Sequence, residues 1–205
     1  MITIINYGLG NILAFANVYK GLGIPVVVAQ RAADLQDATK LILPGVGSFD
    51  HAMELLQRSG MRSTLENLVL SQAVPVLGVC VGMQILAATS EEGKLPGLGW
   101  IDGDVRRFDS AKSQQPIRLP HMGWNDVNPV GSSALFAGLS RDVRFYFLHS
   151  YYFQCARREN VLAQSEYDKK LFSSAVQSNN IFGVQFHPEK SHHYGARLLK
   201  NFAEI

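Results

Sequence analysis

Short apolar runs alternate with helix-like patterns through the first half of this 205-residue chain. Residues 2–6 form a β-rich run, and residues 12–22 then place apolar side chains at helical spacing. The succession returns further on, and residues 74–79 are almost continuously apolar, as is typical of a central strand covered on both faces. Repeated β–α alternation predicts an α/β fold with a mostly parallel central sheet flanked by helices.

The pattern changes after Gly93, where glycines separate shorter runs. These runs predict a small antiparallel elaboration with hairpins at 105–108 and 124–127, and a polar exposed loop over 109–120. The other predicted strands cover 25–29, 40–43, 143–148, 161–165, 174–176 and 181–186, and the other helices cover 50–58, 61–71, 83–88 and 194–202. Without an internal repeat or a linker, we expect a single domain over residues 1–205.

Composition excludes several classes of protein. Hydrophobic residues make up 47% and charged residues 18% of the chain, which is globular rather than disordered composition. A formal charge of +2 with scattered basic pairs predicts no nucleic-acid partner. No apolar run reaches the roughly 18 residues of a membrane span, and no signal peptide is recognisable. Two cysteines make no disulfide framework, so we expect a cytoplasmic protein without membrane association.

The segment Gly78-Val79-Cys80-Val81-Gly82 has the form of a nucleophile elbow, with cysteine in place of serine. Glycines on both sides allow strand and helix to approach each other around a strained nucleophile. Free N–H groups at the start of the following helix favour a thiolate. A free cysteine beside an apolar strand is otherwise often simply buried, and this is the interpretation preferred for Cys155.

A thiolate nucleophile needs a base and a group that orients the base. His187 follows an apolar strand, and Pro188 then turns the chain so that Glu189 can accept a hydrogen bond from the imidazole. His187 could instead be an ordinary strand-end histidine. A metal site with His192 and His193 is a further alternative, but the spacing matches no familiar ligand pattern, so no metal is expected.

The reaction also needs N–H donors for an oxyanion. Val81 supplies one, and Val46 or Gly47 in the Pro44-Gly45-Val46-Gly47 loop can supply another, unless that loop is only a tight turn. A competing dinucleotide motif at Gly8-Leu9-Gly10 lacks its third glycine and its acidic residue, so no cofactor is expected.

Seven segments together resemble the class I, triad-type glutamine amidotransferases, and more narrowly the branch formed by glutaminase subunits of imidazole glycerol phosphate synthases. They are NYGLGN from Asn6, LPGVGSF from Leu43, GVCVGMQ from Gly78, GLGW from Gly97, HMGWN from His121, FLHSY from Phe147 and QFHPEKS from Gln185. Their order is that of the family, and they cover nearly the whole chain. The resemblance implies a flavodoxin-like core.

The resemblance also implies a Cys80-His187-Glu189 triad that hydrolyses L-glutamine through a thioester. It places Gly47 and Gln84 at the substrate amide, and Glu92, Ser150 and Tyr151 at the amino-acid end of the substrate. In this family the peptide at Val46 is thought to adjust its N–H group when a partner synthase is occupied, which makes activity conditional.

The resemblance further implies a heterodimer with a (β/α)8-barrel cyclase that receives the ammonia and makes imidazole glycerol phosphate in histidine biosynthesis. An exposed stretch around His121, Met122 and Trp124 is the candidate interface, although Trp124 could simply cover the core. Residues 151–155 and 190–195 look more like a branch that aminates surface-polysaccharide sugars, which is the alternative acceptor pathway. A non-catalytic binding module and a partner-independent cysteine hydrolase are the other hypotheses.

Overall fold

Strands and helices alternate along the first part of the chain, as the sequence predicts. The computed structural model describes residues 1–108, 117–139 and 143–205. Within them the strands are β1 (Ile2–Ile5), β2 (Val26–Ala29), β3 (Leu41–Gly45), β4 (Val76–Cys80), β5 (Thr89–Ser90), β6 (Gly103–Arg107), β7 (His121–Asp126), β8 (Asn128–Pro129), β9 (Arg144–His149), β10 (Tyr151–Cys155), β11 (Val161–Tyr167), β12 (Lys170–Ser178) and β13 (Ile181–Val184). The α-helices are α1 (Ile12–Gly21), α2 (Phe49–Arg58), α3 (Arg62–Glu66), α4 (Val81–Gln84) and α5 (His192–Glu204).

The centre of the main sheet is parallel. Its strands lie in the order β2-β1-β3-β4-β13, the arrangement of flavodoxin-like folds. Every residue of β1, β3, β4 and β13 is buried, which confirms that these are central strands. The register pairs Cys80 of β4 with Gly45 of β3, and Val79 with Val184 of β13. The carboxyl ends of three strands therefore meet at one edge, where ligands bind in open α/β sheets.

Antiparallel strands extend the sheet beyond β13. The long strand β12 pairs with β13, β10 and β11, and β10 pairs in turn with β6. A separate small sheet consists of β7 and β9. The mostly parallel core with antiparallel elaboration is confirmed. The two predicted hairpins are wrong, because β6 pairs with β10 and in parallel with β5, and β7 pairs with β9. Strand β10 was not predicted.

Helix α4 is much shorter than the helix predicted over 83–88, which is wrong beyond Gln84. The reason lies in a distant segment. Backbone N–H groups of Gly97, Leu98, Gly99 and Ile101 donate to the carbonyl oxygens of residues 85–88, at 2.8–3.1 Å. These carbonyls are therefore satisfied by another part of the chain instead of by helical donors. The chain turns away after a single helical turn.

One hydrophobic core joins both parts of the main sheet to the helices. Helix α5 packs its buried face, Leu198, Leu199 and Phe202, against this core, and α2 contributes Met53 and Leu56.

The predicted helix over 61–71 is present as α3 followed by a π-helical turn over Asn67–Ser71. Most of the predicted 109–120 loop lies outside the described residues. Across the described ranges, no helix is long and apolar enough to cross a bilayer.

Candidate active site

Cys80 occupies the junction between β4 and α4 with a φ of 55° and a ψ of −114°. A positive φ is strained for a residue with a Cβ atom and persists only where the surrounding structure enforces it. The side chain is buried, and it lines a cavity. The conformation is the one expected of a nucleophile elbow.

Three glycines leave room for this turn. A Cβ atom on Gly78 would lie 2.5 Å from the carbonyl oxygen of Gly82, and one on Gly82 would overlap the carbonyl oxygen of Leu43. A Cβ atom on Gly45 would overlap the backbone nitrogen of Gly82. The chain segments cross so closely that no side chain fits between them. The predicted reason for the glycines at 78 and 82 is confirmed, and Gly45 joins them.

His187 lies just beyond β13, so the parallel pairing of β4 with β13 brings it beside Cys80. Its backbone is held firmly: the His187 N–H donates to the Tyr146 carbonyl at 2.8 Å, and the Ser191 hydroxyl donates to the His187 carbonyl at 2.6 Å. The Nδ1 atom lies 3.0 Å from Oε1 of Glu189. Both side chains are almost fully buried. This is the contact predicted for the His-Pro-Glu turn.

The electrostatics of His187 favour its charged form. Burial by itself lowers the pKa, but hydrogen bonds to Cys80 and Glu189, together with their negative charges, outweigh it and raise the pKa of His187 to about 10. The structure therefore supports an imidazolium that faces the sulfur. Such a cation stabilises a thiolate, which is the reactive form of cysteine.

Gln185 is a neighbour of the sulfur that sequence reasoning missed. Its Nε2 atom lies 3.8 Å from Sγ of Cys80 and donates to it, and the thiol lies 3.9 Å from the carbonyl oxygen of Leu148. Gln185 is fully buried. It lies in the quoted QFHPEKS segment, but nothing in the local pattern indicates that its side chain turns towards Cys80.

The residues that carry the candidate oxyanion donors line the same cavity as Cys80. Val46 and Gly47 directly follow Gly45, the register partner of Cys80, and Gly47 has a φ of 95°. Val81 begins α4, as predicted. Because α4 is only four residues long, its dipole is small. The predicted stabilisation of the thiolate by the helix terminus therefore comes only from the first N–H groups of α4. The Tyr7 hydroxyl donates to the Pro44 carbonyl at 2.7 Å and so anchors the start of the Pro44–Gly47 loop.

A cavity of about 280 Å³ opens at this edge of the sheet. Its lining unites the predicted nucleophile, base, oxyanion loop and substrate residues: Val46, Gly47, Cys80, Val81, Gln84, Glu92, Ser150, Tyr151 and His187. Pro120, Leu148, His149 and Lys190 complete the lining and were not predicted to do so. Glu189 stays behind His187, where it orients the imidazole.

Two predicted substrate residues also have partners within the protein. Oε2 of Glu92 accepts the N–H of Phe49 at 2.8 Å. Burial raises the pKa of Glu92, the Phe49 N–H lowers it and the charge of Asp50 raises it, for a net increase. The Nε2 atom of Gln84 donates to the Tyr151 carbonyl at 3.0 Å and to Oε1 of Gln185 at 3.1 Å. The amide nitrogen of Gln84 is therefore fully engaged.

The candidate interface is only partly exposed. Met122 is 65% and Trp124 39% exposed, and Trp124 stacks on His192 with ring centroids 5.3 Å apart. His121 is 3% exposed and points to the opposite side of β7. The expectation of an exposed stretch is wrong at His121, because side chains alternate between the two faces of a strand. In the described ranges, no group of three or more His, Cys, Asp or Glu side chains could hold a metal ion.

Comparisons with known proteins agree with this geometry. The family model described as "Glutamine amidotransferase class-I" matches residues 3–205. A protein of Bdellovibrio bacteriovorus named "Imidazole glycerol phosphate synthase subunit HisH" is 61% identical over the full length of both chains. A Leptospira interrogans protein of the same name is 50% identical, again over both full lengths. A solved structure described as a glutamine amidotransferase superposes with a TM-score of 0.76 at 21% identity, covering 99% of this chain and 97% of the other, and shows the same fold.

Proposed function

Because this chain belongs to the class-I glutamine amidotransferase family, and within it to the HisH subunits of imidazole glycerol phosphate synthase, we propose that it hydrolyses L-glutamine for histidine biosynthesis. The products are glutamate and ammonia. The observation that supports this most strongly is the joining of Cys80, His187 and Glu189 at one cavity. The chemistry proposed here uses side chains and backbone groups of the chain itself.

The first half of the reaction forms a thioester. The Cys80 thiolate attacks the side-chain amide carbon of glutamine, and the carbonyl oxygen becomes an oxyanion that Val81 and a peptide N–H of Val46 or Gly47 stabilise. The carbon–nitrogen bond then breaks, and the His187 imidazolium gives its proton to the leaving nitrogen. The products of this step are ammonia and a glutamyl thioester on Cys80.

The second half regenerates the enzyme. Neutral His187 takes a proton from water, and the hydroxide formed attacks the thioester carbon. The carbon–sulfur bond breaks, the new carboxyl group gives its remaining proton to solvent, glutamate leaves, and the thiolate–imidazolium pair returns. Glu189 accepts the hydrogen bond from Nδ1–H of His187, so that Nε2 faces the reaction.

The substrate's charged end has suitable neighbours. Glu92 lines the cavity and can pair with the α-ammonium group of glutamine. Ser150, between β9 and β10, and Tyr151, the first residue of β10, also line the cavity and can contact the α-carboxylate with their backbone and hydroxyl groups. The amide nitrogen of Gln84 is already engaged in hydrogen bonds within the protein. Gln84 therefore contributes to substrate binding by donating to the Tyr151 carbonyl, which fixes the position of Tyr151. Gly47 adds an unobstructed backbone at the amide end.

The proposed partner is the cyclase subunit of the synthase, a (β/α)8 barrel in the cytoplasm. Ammonia released into water at neutral pH becomes ammonium and loses its nucleophilicity, so direct delivery to the acceptor is needed. The outer face of β7 and β9 provides a docking surface beside the cavity: exposed Met122 pairs across the strands with exposed Leu148, which lines the cavity. Trp124 extends this apolar surface.

We expect Trp124→Ala and Met122→Ala each to weaken binding of the cyclase about tenfold or more, because large exposed apolar side chains dominate interface energies. Titration calorimetry with the purified cyclase measures the effect. Leu70→Ala is the matched control: Leu70 is 56% exposed but precedes the amino end of β4, at the opposite edge of the sheet. Equal losses in all three variants, or none in the first two, would place the interface elsewhere.

The function is tested by glutamate release from L-glutamine, measured for the purified chain alone and then with the cyclase and its nucleotide ligand. We expect slow release alone and strong stimulation in the complex. Full turnover without a partner would instead indicate an independent hydrolase, and no release under either condition would indicate a binding module. The comparisons favour the histidine pathway over the surface-polysaccharide alternative; stimulation only by a sugar-aminating synthase would reverse this assignment.

A further inference from the structure

His121 and His149 form a buried pair to which the proposed mechanism gives no role. They lie directly opposite each other on β7 and β9, so their side chains share one face of the small sheet. Nδ1 of His121 lies 2.9 Å from Nε2 of His149. Both rings are nearly fully buried. Two buried imidazoles in direct contact are costly unless every ring nitrogen has a suitable partner.

The partners fix the position of each proton. Nδ1 of His149 lies 2.7 Å from the Tyr151 carbonyl oxygen, which can only accept, so this nitrogen carries the hydrogen. Nε2 of the neutral ring then accepts from Nδ1–H of His121. Nε2 of His121 in turn accepts from the side-chain amide of Asn125 at 3.2 Å. All three hydrogen bonds therefore point in the same direction, from Asn125 to Tyr151.

Burial supports this neutral arrangement. It lowers the pKa of His121 to about 4. Burial also lowers the pKa of His149, to about 3. The hydrogen bond to the Tyr151 carbonyl raises this pKa, and positive charge on His121 or His187 lowers it further. Both imidazoles are consequently neutral at the pH of a cell, and each has one donor and one acceptor.

The chain of hydrogen bonds continues to the nucleophile. The Tyr151 carbonyl accepts a second hydrogen bond, from Gln84, at 3.0 Å. The same Gln84 nitrogen donates to Oε1 of Gln185 at 3.1 Å. With its oxygen held in this way, Gln185 turns its Nε2 group towards Sγ of Cys80. If this amide were reversed, its oxygen would face the thiolate and repel it.

We propose that His121 and His149 are positioning residues that connect the docking strand β7 to the sulfur of Cys80. The pair holds the Tyr151 carbonyl, which holds Gln84, which sets the orientation of Gln185. Met122 and Trp124 lie on the other face of β7, on either side of Gly123. Met122 directly follows His121 in the chain. A partner that shifts β7 therefore shifts the first members of this hydrogen-bonded chain. The coupling to a partner rests on the proposed function; the positioning of Cys80 does not.

His149→Phe and His121→Phe remove the hydrogen bonds but keep a flat ring of similar size. His149→Asn restores a donor near the position of Nδ1. The matched control is Ser165→Ala, which removes a 2.7 Å hydrogen bond from β11 to the Asp126 carbonyl of β7 and leaves the histidine chain intact. All variants are made with Cys155→Ala, so that Cys80 is the only thiol.

Two measurements separate positioning from coupling. The first is the rate of Cys80 alkylation by iodoacetamide in the free chain across pH. We expect both phenylalanine variants to react at least threefold more slowly near neutral pH, with the midpoint moved to higher pH, because the thiolate loses an oriented N–H donor. His149→Asn recovers most of the rate, and Ser165→Ala matches the parent. The second is the factor by which the cyclase stimulates glutaminase activity, which we expect to fall about tenfold in the phenylalanine variants only.

Unchanged alkylation profiles in folded phenylalanine variants would overturn the positioning role, as would an equal change in Ser165→Ala. A shifted alkylation profile with normal stimulation would overturn the coupling alone. Absence of any stimulation in the parent would instead count against the proposed function, while the alkylation result still decides the positioning. Nitrogen-15 spectra of the histidine-labelled chain add a test without mutation: both rings should be Nδ1-protonated above pH 5, and an Nε2-protonated ring would contradict the proposed chain.

Discussion

We expect the Cys80→Ala chain to release glutamate from glutamine at least about a thousandfold more slowly than the parent, because the covalent route requires a nucleophile that alanine lacks. The complex with the cyclase should still make product from added ammonium salts, since that route bypasses glutamine. Glutamate release and product formation are measured on the same preparation. The substitution removes only the sulfur from a buried position, so the fold should survive.

Cys155→Ala is the control for this experiment. Cys155 is the other free cysteine, burial raises the pKa of its thiol to about 11, and it lies outside the cavity lining. Its loss should leave glutaminase activity near that of the parent. Glutamine-dependent activity in Cys80→Ala above about one hundredth of the parent rate would sink the nucleophile assignment. Loss of ammonium-dependent synthesis as well would show that Cys80 matters for assembly rather than for chemistry.

The second large effect is structural. Gly82→Ala should lower the free energy of unfolding by about 3 kcal/mol or more, because the new methyl group would overlap the carbonyl oxygen of Leu43. Neither backbone can move away easily, since β3 pairs with β1 on one side and β4 on the other. For a chain of this size the melting temperature should fall by roughly 6–12 °C. Calorimetry or circular dichroism measures the shift.

Gly21→Ala serves as the matched control. Gly21 ends α1, its backbone is not in the left-handed region, and no atom lies within 4 Å of the position that a Cβ atom would take. Alanine there should raise stability by a few tenths to about 1 kcal/mol, because it reduces the freedom of the unfolded chain. A Gly82→Ala chain that melts within 2 °C of the parent would show that the crossing of β3 and α4 is looser than the structure indicates.

Local patterns predicted the first half of the fold well. In a parallel sheet the central strands are covered on both faces, so their sequences are apolar throughout and easily distinguished from amphipathic helices. The motif of the nucleophile elbow is likewise local: Gly78, Cys80 and Gly82 lie within five residues, and the absence of side chains at the two glycines leaves room for the turn. His187 and Glu189 meet because only Pro188, which turns the chain, separates them.

The predictions failed where distant parts of the chain compete for the same groups. The helix expected over 83–88 ends at Gln84 because donors from residues 97–101 take its carbonyl oxygens. His121 was expected at the surface because its segment resembles an interface segment of the family, but the pairing of β7 with β9 turns it inward against His149. No local pattern contains the register of strands that lie far apart in the chain.

Local sequence patterns are sufficient to identify the candidate triad: a cysteine in a strained turn, a histidine at a strand end and a carboxylate beside it. These depend on covalent neighbours and backbone stereochemistry, which act over a few residues. Strand pairing in the folded chain sets which groups surround the sulfur: it brings Gln185 and Leu148 into contact with Cys80, and it places the histidine pair where Gln84 and Gln185 connect it to the sulfur. Pairing register is a property of the assembled sheet, where burial and hydrogen bonding of every strand are satisfied together.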